Sequence, residues 1–141
     1  MQVKVKKLSA HATLPTYATD GSGAMDLYAV RKWNNKPDVV TYETGLSFEV
    51  PPGYSMLVLS RSGHGFKSDL RLSNCVGLID SDYRGGVMVN IRADGEATAD
   101  LDLSKAIAQF IIIETPRIEL IEVDALGDTD RGTGGFGSTD A

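Results

Sequence analysis

Cysteine occurs once, at position 75, so no disulfide can form within the chain. A domain of 141 residues without that staple must be held by a buried core, and it is long enough to build one. A lone thiol also fits a reducing compartment. Histidine occurs twice, as the separated His11 and His64, so the sequence offers no His/Cys ligand set and both read as structural or surface residues. Cationic excess is missing too: 14 Lys and Arg face 19 Asp and Glu, a net charge of −5, which excludes general attraction to nucleic acid. The longest apolar run, Ala106 to Ile113, is broken by Gln109 and is too short to span a bilayer. The opening Met-Gln-Val-Lys-Val-Lys-Lys alternates valine with charge and has no apolar segment of the signal-peptide kind. The expectation is a soluble, cytoplasmic protein with no membrane or nucleic-acid partner. Helical periodicity is scarce: Ser62 to Ser68 allows one short turn, and Glu96 to Ala106 carries no helical stripe.

Strand signals fill the rest. Short β-rich segments fall at Val3 to Val5, Met25 to Val30, Val39 to Glu43, Leu46 to Val50, Met56 to Leu59, Val87 to Ile91, Ala108 to Ile113 and Ile118 to Val123. Turn residues separate them roughly every ten positions, the rhythm of an all-β sandwich or barrel. Lys4, Lys6 and Lys7 read as the solvated face of the first strand. Trp33 to Asp38 reads as a hairpin loop whose tryptophan packs locally.

Four segments are too polar or too bare for core duty. Asp26 interrupts an apolar strand pattern: by itself it reads as a strand-end or turn residue, and if buried its carboxylate needs a partner, hydrogen bonds or a metal. Arg61-Ser62-Gly63 follows the apolar Met56 to Leu59 and puts a guanidinium and a hydroxyl at a strand end, which suits phosphate oxygens or an ordinary salt-bridged turn. From Asn74 to Val89, two apolar segments flank a turn with Asp80, Asp82, Tyr83 and glycines, the pattern of a β-hairpin. The last eleven residues, Arg131-Gly-Thr-Gly-Gly-Phe136-Gly137-Ser138-Thr139-Asp-Ala141, cannot hold a helix or strand. They carry one guanidinium, one flat ring, hydroxyls and a backbone open enough to wrap an anion.

These motifs together, in this order, resemble the trimeric dUTPase family from about residue 14 to the end. The specific matches are Asn74-X-X-Gly77-Leu-Ile79-Asp80-X-Asp82-Tyr83-Arg-Gly85 and Arg131-Gly-X-Gly-Gly-Phe136-Gly-Ser-Thr139, with Arg61-Ser-Gly63 and Ile107-Ala-Gln109 between and around them. The resemblance implies a distorted jelly-roll or β-clip barrel over residues 1–130 with at most one short helix. Residues 131–141 would then be a flexible lid exchanged between the subunits of a homotrimer. It implies hydrolysis of dUTP to dUMP and pyrophosphate by water attack on the α-phosphorus, which keeps uracil out of DNA and supplies dUMP for thymidylate synthesis. Asp80 would orient and deprotonate the water. Asn74 and the backbone at Gly77 and Ile79 would read uracil, and Tyr83 would pack beneath the deoxyribose and exclude a 2′-hydroxyl. Arg61, Ser62, Gly63 and Gln109 would contact phosphates. Arg131, Phe136, Gly137, Ser138 and Thr139 would close over base and phosphates. The implied cofactor is Mg²⁺, held by phosphates and water, with Asp26 acting through water.

The chain departs from the family pattern at Gly23-Ala24, usually Ala-Gly, and at Ser60, usually proline. It departs again at Ser104-Lys105-Ala106, commonly Gly, an acidic residue and Arg. A deoxycytidine triphosphate deaminase of the same scaffold would need a catalytic glutamate near the exocyclic amine, and the Asp80/Tyr83 segment does not fit that. An added partner surface would fall on the Trp33 loop or on the acidic Asp94, Glu96, Asp100 and Asp102 segment.

Overall fold

The computed structural model describes residues 1–138. The fold is all-β with one short helix. A small sheet pairs β1 (Lys4–Lys7) with β5 (Leu46–Glu49). A four-stranded antiparallel sheet runs β2 (Met25–Leu27), β10 (Ala108–Glu114), β6 (Tyr54–Leu59), β8 (Val76–Ile79). A second runs β3 (Arg31–Lys36), β4 (Val39–Glu43), β9 (Met88–Ala93), β7 (Leu70–Leu72). The helix α1 (Ser62–Ser68) leaves the end of β6 and packs on β7.

One apolar cluster takes Leu27, Met56, Val58 and Phe110 from the first four-stranded sheet and Tyr42, Leu72, Val89 and Ile91 from the second. Two sheets that share one core form a sandwich, because each buries a single face against the other. Strand β9 shows the alternation: Val89, Ile91 and Ala93 are buried and the residues between them are not. Phe48 meets Phe110 edge to face at 5.6 Å and ties the small sheet to the core. Tyr42 is fully buried yet satisfied: its hydroxyl donates to the Ala99 carbonyl and accepts from the Leu101 amide, each at 2.6 Å. Burial raises its phenol above the usual tyrosine range.

Three local readings need correction. The two apolar segments around Asp80 to Gly86 are not a hairpin. Strand β8 pairs with β6 and β9 pairs with β4 and β7, so the polar turn crosses between sheets. Trp33 lies in strand β3 and not in a loop, and the turn begins only after Lys36. Its ring does pack locally, with the Arg31 guanidinium 5.3 Å from the ring centre. Ile118 to Val123 has strand composition but no strand, because nothing among the described residues pairs with it. Ile118, Leu120, Ile121 and Val123 stand exposed. Strand β7 had no sequence signal of its own. Its three residues are ordered by pairing with β9.

Candidate active site

The pairing register aligns four residues across the first four-stranded sheet: Asp26 opposite Gln109, Gln109 opposite Leu59, and Leu59 opposite Val76. This row collects the phosphate-type candidates at one sheet end. Asp26 is mostly buried, and its Oδ1 lies 3.1 Å from Arg61 Nε. The aspartate that needed a partner has found one in another candidate. Arg61 also donates from Nη1 to the Ala106 carbonyl at 3.3 Å. Gln109 donates from Nε2 to the Ser60 carbonyl at 2.9 Å, which fixes the strand end that carries Arg61. Ser62 and Gly63 open α1 and are exposed. His64 follows them, half-buried, and sequence reasoning had set it aside. Burial first, and then the Arg61 charge, hold its imidazole below the usual histidine range, with Asp26 pulling weakly the other way.

The departures at Ser60 and Ala106 now have structural meaning. Ser60 Oγ accepts the Leu72 amide at 2.9 Å, linking the end of β6 to β7 in the other sheet. Ala106 is buried, so its small side chain is part of the core edge while its carbonyl receives Arg61.

The base and sugar candidates form a second group on and around β8. This strand is the edge of its sheet, so alternate residues present unpaired main-chain donors and acceptors. Gly77 and Ile79 are two apart, so their main-chain groups point to the same side. A Cβ at Gly77 would crowd Val58 at 3.3 Å, so glycine eases the pairing of β8 with β6, and the Asn74 side-chain amide nitrogen lies 3.8 Å from that Cβ position. Beyond Ile79 the chain turns, with the Tyr83 amide bonded to the Asp80 carbonyl at 3.2 Å and Asp80 exposed. Tyr83 folds back over its own loop and donates to the Gly86 carbonyl at 3.2 Å. Any side chain at Gly85 would overlap the Tyr83 ring and hydroxyl. The loop is anchored from outside by Ser47 Oγ, which donates to the Arg84 carbonyl at 2.6 Å. Gly85 and the Ser47 anchor shape the site without touching its chemistry, and only Gly85 carried a sequence signal.

Asn74 and Gly77 adjoin the phosphate row, but Asp80 does not. Val76 stands on the phosphate row and Asp80 lies four residues further along, about 13 Å at strand spacing. The tail forms a third group. Arg131 donates from Nε to the Gly134 carbonyl at 2.9 Å, and Gly134 and Ser138 donate backward to close two turns. Phe136 has a left-handed φ of 50° and is wholly exposed, and Gly137 lies beside it at φ 85°. Thr139 lies outside the described residues. Among the described residues, no hydrogen bond joins 116–138 to the body.

Residues 10–140 match the dUTPase family. The chain belongs to that family. It is 39% identical to the deoxyuridine 5'-triphosphate nucleotidohydrolase of Nautilia profundicola, over 99% of both chains. It is 42% identical to that of Bordetella avium, over 89% of this chain and 87% of the relative. In architecture it is similar to a variant of Staphylococcus bacteriophage 80alpha dUTPase with dUpNHpp, with a TM-score of 0.85 at 24% identity over 98% of each chain. The jelly-roll arrangement of strands expected from the sequence is therefore the fold of this dUTPase family member.

Proposed function

We propose that this chain is a dUTP diphosphatase, hydrolysing dUTP to dUMP and pyrophosphate. The observation that carries the reading is the turn at the open edge of β8, where an exposed carboxylate, Asp80, and the folded-back ring of Tyr83 follow directly on Asn74, Gly77 and Ile79. Asn74 and the main chain of Gly77 and Ile79 hold the uracil edge. Cytosine reverses those donors and acceptors and would leave buried groups unpaired. Tyr83 lies under the deoxyribose and leaves no room for a 2′-hydroxyl. Asp80 orients a water and takes its proton as the oxygen attacks the α-phosphorus. Arg61, Ser62, Gly63 and Gln109 hold the phosphate chain. Arg131, Phe136, Gly137, Ser138 and Thr139, from a lid of residues 131–141 on a body of residues 1–130, cover base and phosphates and exclude bulk water.

Among the described residues, no group of three or more His, Cys, Asp or Glu gathers into a metal cage. Asp26 is the one carboxylate on the phosphate row, and it is already paired with Arg61. That donor set suits Mg²⁺ arriving on the nucleotide with much of its water retained, with Asp26 accepting from that water. When bound, the ion supplies neutralisation of the phosphate oxygens. Asp80 lies past the far end of β8 from the phosphate row, and a site shared between the subunits of a homotrimer would close the gap. The exposed Ile118, Leu120, Ile121, Val123 and Leu126 support a homotrimer as well. So does an apolar groove of about 470 Å³ that includes Val3, Leu14, Tyr17, Met25 and Phe48, which fits such a segment from a second copy.

The test is pyrophosphate release from dUTP, with dCTP, dTTP and UTP as controls, in Mg²⁺ and in EDTA. Release confined to dUTP and abolished by EDTA is expected. Equal release from dCTP or UTP would overturn the assignment of the base and sugar readers.

A further inference from the structure

The phosphate row is short of positive charge. Arg61 is its one permanent cation, and Asp26 cancels that charge at 3.1 Å, while Ser62, Gly63 and Gln109 are neutral. A nucleoside triphosphate remains anionic even with a divalent ion attached. A further group able to become a cation is His64, two residues past Ser62 and within electrostatic reach of Arg61 and Asp26. Its Nδ1 is buried and has no hydrogen-bond partner among the described residues. A buried ring nitrogen without a partner is an unmet cost that a ligand can relieve. Glycines 63 and 65 flank it, and α1 buries none of its seven residues, so the segment can shift at little expense.

We infer that His64 is a further substrate-binding residue, which takes up a proton from solvent when the polyphosphate docks and then donates to a phosphate oxygen. The inference rests on the proposed dUTP site. The charges that act on His64 are Arg61 at the mouth of α1 and Asp26 on β2. From β7, on which α1 packs, Arg71 is turned to Asp94. Lys67 and Asp69 complete the charged groups of the helix and its C-cap. In the free protein, burial and Arg61 favour the neutral ring. Several phosphate oxygens beside it reverse that balance. Affinity should therefore be greatest on the acid side and fall as pH rises through the bound-state value of the imidazole.

The chain has two histidines, so a proton NMR titration can follow His64 with the exposed His11 as an internal reference. With saturating dUpNHpp and Mg²⁺, the His64 midpoint should rise by about one pH unit, which corresponds to about tenfold tighter binding by the imidazolium form. His11 should not move. His64→Gln should weaken dUpNHpp binding at pH 6 and remove the proton uptake measured by calorimetry in buffers of different ionisation enthalpy. Binding of dUpNHpp with an unmoved or lowered His64 midpoint, or unchanged proton uptake in His64→Gln, would overturn this inference alone. Failure of dUpNHpp to bind would overturn the dUTP reading and this inference with it.

Discussion

A side chain at position 85 has nowhere to go, because the space an added Cβ would enter is taken by the ring and hydroxyl of Tyr83. Gly85→Ala should therefore displace the tyrosine while sparing the fold, since the loop lies at the surface. The ratio of kcat/KM for dUTP to that for UTP should fall at least about tenfold, or about 1.4 kcal/mol of discrimination. An unchanged ratio would remove Tyr83 from the sugar filter. At Asp26 the local chemical need was legible. The lone carboxylate there announced the need for a partner if buried, because a buried charge must be paired. Which partner it had was not legible, since that depends on the register of β2, β10 and β6. His64 was passed over because a single imidazole carries no local pattern. What distinguishes it is burial beside Arg61, which only the fold creates.

At the scale of elements, the outcome turns on which strands can find neighbours. Val76 to Ile79 and Met88 to Ala93 flank a polar turn, and local pattern says hairpin. Each nonetheless joins a different sheet, because sheet membership is decided by long-range pairing. Ile118 to Val123 has the composition of a strand and no partner among the described residues, so composition alone overstated it. The segment beyond it is held only by its own turns. Deleting residues 131–141 should leave thermal unfolding and oligomer size unchanged. Turnover of dUTP should fall by at least about a hundredfold, the scale of loss when substrate closure and phosphate positioning are removed. Full activity in the truncated protein would mean that residues 131–141 do not serve as a lid.

The whole molecule is acidic, at net −5, and its Asp80 lies past the far end of β8 from the row that holds Gln109. If each site joins the Asp80 group of one subunit to the Arg61 group of another, two inactive proteins can repair each other. Asp80→Asn and Arg61→Ala should each be nearly inactive as pure trimers. Unfolded together in equal amounts and refolded, they should regain about a quarter of wild-type turnover, the share of sites that draw both intact groups by chance. Activity no greater than that of the separate variants would place both groups of a site in one subunit.

Ser60 has a consequence for how this chain can change. Its hydroxyl holds the amide of Leu72, a fully buried residue, and a proline side chain has nothing to offer that amide. Proline, which the family resemblance leads one to expect at this position, would here strand a buried donor, at a cost of about 1–3 kcal/mol. Redesign toward the family consensus, normally a stabilising strategy, would start with a loss at this position. A chain with proline at position 60 would first have to find Leu72 another acceptor.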